Sequence, residues 1–118
     1  MTGNSADFSA FILEQLQESI PVLRSKPFFG GTGLTTHGLQ FAMLMGNTVY
    51  FVVDDTTRPT YESLGSVCFS YKTAKKTVNV KKYSSVPAHI IEEQDELIVW
   101  ARRSIKIATQ ADKRKAAP

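Results

Sequence analysis

The sequence predicts an α+β domain, a two-layer sandwich in which helices pack on a five-stranded antiparallel sheet in the order α-β3-α-β2-α. Three observations carry that expectation. Apolar residues recur at helical spacing near both ends of the chain, alternating apolar runs fill the middle, and the two-residue turn signals His37-Gly38 and Gly46-Asn47 separate consecutive runs. At 118 residues the chain is about one domain, long enough to bury a core without metals or disulfides.

The first helix is expected after a cap at Asn4 or Ser5, with Phe8, Phe11, Ile12 and Leu16 on one face and Pro21 as its stop. A meander follows: Phe28 to Leu34, Leu39 to Met45, and Thr48 to Val53. In the second of these strands, strict alternation places Leu39, Phe41, Met43 and Met45 on one face and Ala42 and Leu44 on the other, with Tyr50 and Val52 beside the latter. Both faces are apolar, so the second needs a cover, supplied either by a further helix or by a second copy of the chain in a homodimer. Thr57, Pro59 and Gly65 bracket a short helix. Val67, Phe69 and Tyr71, then Val78 and Val80, give a second hairpin around Thr73 to Lys76. Pro87 introduces a helical segment with Ile90 and Ile91, and the last helix begins near Glu93 or Asp95 and packs Leu97, Trp100, Ala101, Ile105 and Ala108.

Hydrophobic content of 42% and charged content of 21% are those of an ordinary globular chain, and no apolar run reaches the roughly 20 residues that cross a bilayer. No membrane association is expected. Asp7, Glu14 and Glu18 break up what would have to be the apolar core of a secretory signal, and the single Cys68 cannot close an internal disulfide. A cytoplasmic setting follows. The formal net charge of +3 is unevenly placed: residues 1–100 hold 8 Lys+Arg against 10 Asp+Glu, and the excess comes from Arg102, Arg103, Lys106, Lys113, Arg114 and Lys115. Residues 1–110 read as the single domain and residues 111–118 as a disordered basic tail.

Chemistry is sparse. Gly30, Gly31 and Gly33 lack the third glycine and following helix of a dinucleotide loop, because Thr36 stands in that position and a strand follows. A glycine-rich bend at a strand entrance explains them. His37, His89 and Cys68 lie too far apart in sequence for a zinc motif, and neither metal nor cofactor is expected. Asp54-Asp55 would point apart if extended, so capping of the next helix explains them better than paired acid and base. Lys72, Lys75, Lys76 and Lys82, with Arg102 and Arg103, form a candidate basic surface for phosphate contact; lysines that keep a sheet edge from aggregating are the favoured reading. Lys81 and Lys82 would join one patch only through a bulge. Trp100 reads as a core anchor. A pocket between the sheet and the helices, with Tyr50, Tyr61, Tyr71 or Tyr83 as its polar group, would suit a small-molecule binder or an enzyme.

The segments FFGGTGL, LQFAMLMGNTVYFVVDD, RPTYESLGSVCFSYK and VPAHIIEEQDELIVWARRS stand in fixed order and resemble the TfoX (Sxy) N-terminal domain family over about residues 24–108. The residues carrying the resemblance are Phe29, Gly30, Gly31, Gly33, Phe41, Asp54, Gly65, Tyr71, Pro87 and Trp100. The resemblance implies a fold similar to secretion-chaperone-like domains and no catalytic residues. It also implies a regulatory or protein-interaction role in DNA-transformation competence, with a cyclic-AMP receptor protein or other transcription machinery as partner.

Overall fold

The computed structural model describes residues 5–116, with side chains described through residue 114. The elements are α1 (Ala6–Gln17), β1 (Leu23–Phe28), β2 (Gly31–Thr36), β3 (Leu39–Met45), β4 (Thr48–Val52), α2 (Arg58–Ser63), β5 (Cys68–Lys72), β6 (Thr77–Ser85), α3 (Ala88–Ile91) and α4 (Gln94–Ala116). All strand pairs are antiparallel, in one sheet of order β1-β2-β3-β4-β6-β5. The α+β class and helix-on-sheet layering stand as expected, with six strands in place of five.

The extra strand comes from one unread turn. Phe28 pairs with Gly31, and Phe29 and Gly30 between them take φ of 47° and 80°, which splits the expected Phe28–Leu34 strand and makes the preceding segment a strand of its own. His37 and Gly38 (50° and 79°) and Gly46 and Asn47 (56° and 60°) repeat the geometry, so three successive hairpins use two-residue turns with both central φ positive, the type I′ signature that matches strand twist. Pro27 removes one donor from β1, and β1 tolerates it because it is an edge strand.

Ser5 caps α1 by accepting a hydrogen bond from the Phe8 amide, and its own amide donates to Asn47 Oδ1 in the β3–β4 turn. The alternative cap, Asn4, lies outside the described residues. Helix α1 ends at Gln17, before Pro21, and Val22 with φ of 48° turns the chain into β1. Ile12 and Leu16 are fully buried, each burial stabilising by roughly 1.5–3 kcal/mol, whereas Phe11, expected in the core, is exposed.

The expected alternation on β3 fails at a bulge. Leu34 opposes Ala42 and Thr35 opposes Gln40, which leaves Phe41 as the extra residue. Phe41 therefore turns toward the same side as Ala42 and meets Phe51 at 6.3 Å between ring centres. Leu39, Phe41, Ala42 and Leu44 face the helices, while Gln40, Met43 and Met45 face away, together with Tyr50 opposite Met43.

On the helix side, α4 presents Leu97, Trp100, Ala101, Ser104, Ile107 and Ala108 to this core, with Ile105 half-buried. It is tied to the α1 region by Gln94 Nε2 donating to the Gln15 carbonyl and by Arg102 donating to the Ser19 carbonyl. Helix α4 continues through Ala116, so residues 111–116, expected as a disordered tail, are helical. Alanine, lysine and arginine there are strong helix formers.

Candidate interaction surface

The face of the sheet away from α1 and α4 is the part of the molecule with a shape of its own. Met43 and Met45 form its floor, and at opposite ends of the sheet order stand Phe28 and Phe29 of the β1–β2 hairpin and Phe69 and Tyr71 of β5. Those two ends line the same depression. The sheet must therefore curl until its edges face each other across Met43, as twist and bulges allow.

The cleft consists of a hollow of about 250 Å³ bounded by Phe29, Met45, Phe69 and Tyr71, and an adjoining one of about 150 Å³ reaching Phe28, Met43, Val80 and Tyr83. Strand and turn residues make the whole lining, and no helix residue contributes. The rings stack edge to face: Phe28 and Phe29 at 4.7 Å, Tyr50 and Phe69 at 5.3 Å. Floor and rim differ sharply, since Met43 is 1% exposed whereas Phe29 is 78% and Tyr71 46% exposed.

Glycines shape the floor. Gly31 and Gly33 lie on the cleft side of β2, where a Cβ on Gly31 would collide with Met45 Sδ and the Leu44 carbonyl, and one on Gly33 with the Gln40 side chain. Their bareness lets β3 side chains lie over β2. Gln40 Nε2 then donates to Tyr83 Oη at 3.1 Å.

The cleft's titratable groups are phenols. Burial raises the pKa of Tyr50 and Tyr83, so both stay protonated at neutral pH and neither serves as a base. Tyr61, grouped with them as a possible pocket residue, lies instead on the helix side against Trp100 at 4.6 Å between ring centres, with burial pushing its pKa to about 12 against a hydrogen bond from Ser104. Trp100 is the core anchor expected of it, and Arg103 lies over its ring at 5.9 Å.

Asp54 organises the loop before α2: its Oδ1 accepts from the Thr56 and Thr57 amides and from both threonine hydroxyls. These bonds, led by the Thr56 hydroxyl, hold its carboxyl below the usual range. Asp55 pairs with Arg58 at 2.7 Å, so the two acids do separate structural work. Among the described residues, no three His, Cys, Asp or Glu side chains assemble into a metal site.

The candidate basic surface is spread out. Lys72, Lys75 and Lys76 are exposed around the β5–β6 hairpin, whereas Lys82 shares a hollow of about 480 Å³ with Arg114, Asp112 and the end of β3. Arg102 sits beside Ser19 and Arg103 over Trp100. The register of β6 shifts at Lys81, Lys82 and Tyr83, three residues that oppose no residue between Cys68 and Phe69 of β5. The sequence offers Tyr71 for a pocket between sheet and helices, whereas the structure puts it on the other face of the sheet; Phe29 as a rim residue is missed, its signal being an aromatic where a hairpin turn favours Asn or Gly.

Gly65 ends α2 with φ of 85°, and Pro87 stands at the N-cap of α3, so these motif positions are structural. The profile described as TfoX N-terminal domain matches residues 14–108, a span that includes all six strands, the last turn of α1 and most of α4. The chain belongs to the TfoX N-terminal domain family. No curated protein matches it. In this TfoX N-terminal domain the motif positions fall into two groups, with Gly31, Gly33 and Phe41 shaping the sheet, and Phe29 and Tyr71 on the cleft rim. Among the described residues, no helix is long and apolar enough to cross a membrane.

Proposed function

We propose that this TfoX-type domain is a non-enzymatic protein-interaction module with a regulatory role, acting in the cytoplasm. Competence for DNA transformation is the process, and a component of the transcription machinery such as a cyclic-AMP receptor protein is the class of partner. The observation that carries the reading is the aromatic cleft, whose exposed rim of Phe29 and Tyr71 is apolar surface presented to a partner. Tyr83 within the cleft, its pKa raised by burial, offers a hydrogen-bonding group and no base.

The test is a photo-crosslinking amino acid placed at Tyr71, and separately at Val99 on the exposed side of α4, in the full chain within its own cells. One discrete protein adduct from position 71 and none from position 99 is the expected outcome. Equal adduct patterns at both positions, or no protein adduct at position 71, would overturn the reading.

A further inference from the structure

Phe29 breaks a local rule. In a type I′ turn both central residues take positive φ, which Asn, Asp and Gly adopt cheaply and a bulky aromatic does not. The other two hairpin turns of the meander each pair a glycine with His37 or Asn47, whereas this one holds a phenylalanine at φ 47° with 78% of its surface exposed. Neither conformation nor burial accounts for the ring. Natural sequences depart from local preference in this way where function demands it.

Charge around the ring is equally one-sided. Strand alternation places Arg24, Lys26 and Phe28 of β1 on the cleft side, in rows with Thr35, Gly33 and Gly31. Lys72, Lys75 and Lys76 stand at the opposite edge, where β5 turns into β6. No Asp or Glu occurs from Ser19 to Val53 or from Ser63 to Ile91, so the strands and their hairpins contribute only positive charge. The domain's acids lie on its helices, just beyond their ends at Glu18, Glu92 and Glu93, and in the loop before α2. An apolar, thioether-floored cleft on a sheet whose strands and hairpins carry only cations complements an acidic chain carrying a large apolar side chain.

We propose that the cleft binds an acidic segment of a partner protein, with one aromatic or large aliphatic side chain seated over Met45 between Phe29 and Tyr71, and carboxylates directed to Lys26 and Arg24. This occupant rests on the interaction-module reading and specifies its partner. Single-stranded nucleic acid, which would stack bases on the rim rings and lay phosphates along the cations, is the competing class of occupant, and binding of oligo-deoxythymidine distinguishes it.

The experiment selects random twelve-residue peptides displayed on phage against the full chain, with removal of those that bind the bare support, and then compares their binding to a Phe29→Asn variant. Asn suits the turn, so this variant melts at or above the parent's temperature while the ring is gone. Survivors should be enriched in Asp and Glu around an aromatic or large aliphatic residue. The best peptide, made synthetically, should lose about tenfold or more in affinity to Phe29→Asn, as hot-spot residues do. Lys26→Glu should lose several-fold and flatten the salt dependence, and it serves as the second variant on an exposed position.

Survivors without acidic enrichment, or equal binding by Phe29→Asn, would overturn the proposal. So would tight binding of oligo-deoxythymidine with no peptide selected, or a dimer in sedimentation that Phe29→Asn dissolves, which would make the occupant a second copy. A discrete protein adduct at position 71 whose crosslinked segment lacks acids would refute the acidic occupant alone and leave the interaction module standing.

Discussion

Replacing Gly31 by alanine tests how the cleft is built. The added Cβ would collide with the Leu44 carbonyl, which is backbone, and with Met45 Sδ, whose side chain is itself buried. Overpacking of this kind costs about 1–3 kcal/mol, offset by roughly 0.4–1 kcal/mol because alanine restricts the unfolded chain. The net expectation is a loss of about 1–2 kcal/mol. With an unfolding entropy of about 2.1 cal/mol/K per residue, the 118-residue chain should lose roughly 4–8 °C in Tm. Urea denaturation should show a lower midpoint at unchanged slope. Gly38 is the control, since a Cβ there meets nothing within 4 Å and only its φ of 79° is strained. Asparagine at Gly38 should recover most of what alanine loses, and asparagine at Gly31 should do no better than alanine. Adding Met45→Ala to Gly31→Ala should relieve the clash only in part, because the carbonyl remains. A fully stable Gly31→Ala, or recovery by asparagine at Gly31, would refute the placement of β3 side chains over bare β2 backbone.

Tyr61, with its pKa raised from 10.0 to about 12, binds its proton more tightly folded than unfolded, so its stabilisation is complete below pH 10 and is lost as pH rises toward 12. Urea midpoints across that range should show a decline of about 2–3 kcal/mol from this group, and Tyr61→Phe should remove that part of the slope. Asp54→Ala removes four accepted hydrogen bonds from the loop before α2 and should cost about 1 kcal/mol by thermal denaturation, with Asp54→Asn retaining part of it. Val22→Asn should raise stability by about 1 kcal/mol in the same assay, because a β-branched residue at φ 48° is strained and asparagine accepts that geometry.

What could be read from the chain was what local chemistry encodes. His37-Gly38 and Gly46-Asn47 carry glycine or asparagine at positions needing positive φ, and Ser5 supplies a cap oxygen, so those turns and the helix start were legible. Phe29-Gly30 makes the same turn with a residue that has no preference for it, and so the sequence reads there as a glycine-rich bend at a strand entrance. The Phe41 bulge inserts one residue without any compositional mark, yet it reverses the face of every residue on one side of it. Alternation alone consequently put Phe41 with Met43; Tyr50 is misplaced for another reason, since the two-residue turn at Gly46-Asn47 sets Thr48 opposite Met45 and hence Tyr50 opposite Met43. Curling of the sheet was invisible for a different reason: the approach of Phe29 to Tyr71 joins residues far apart in sequence and depends on twist accumulated over all six strands.

That same curl divides the cleft into parts with different obligations. Met43 and Tyr83 are nearly closed off by neighbouring strands, and Tyr83 also accepts the Gln40 hydrogen bond, so truncating either leaves a cavity or an unpaired amide and destabilises the domain. Phe29 and Tyr71 sit at the mouth, Phe29 with its ring largely in solvent and Tyr71 about half exposed, where folding gains less from them than from the floor. A domain selected only for stability would carry asparagine or glycine at position 29 and a polar side chain at position 71. Substitutions at the mouth should therefore change binding while leaving denaturation midpoints in place, and substitutions at the floor should change both together. If Phe29→Asn and Met43→Ala moved midpoints equally, the ring at position 29 would be packing for the fold, and the cleft would lose its claim to be a surface kept for a partner.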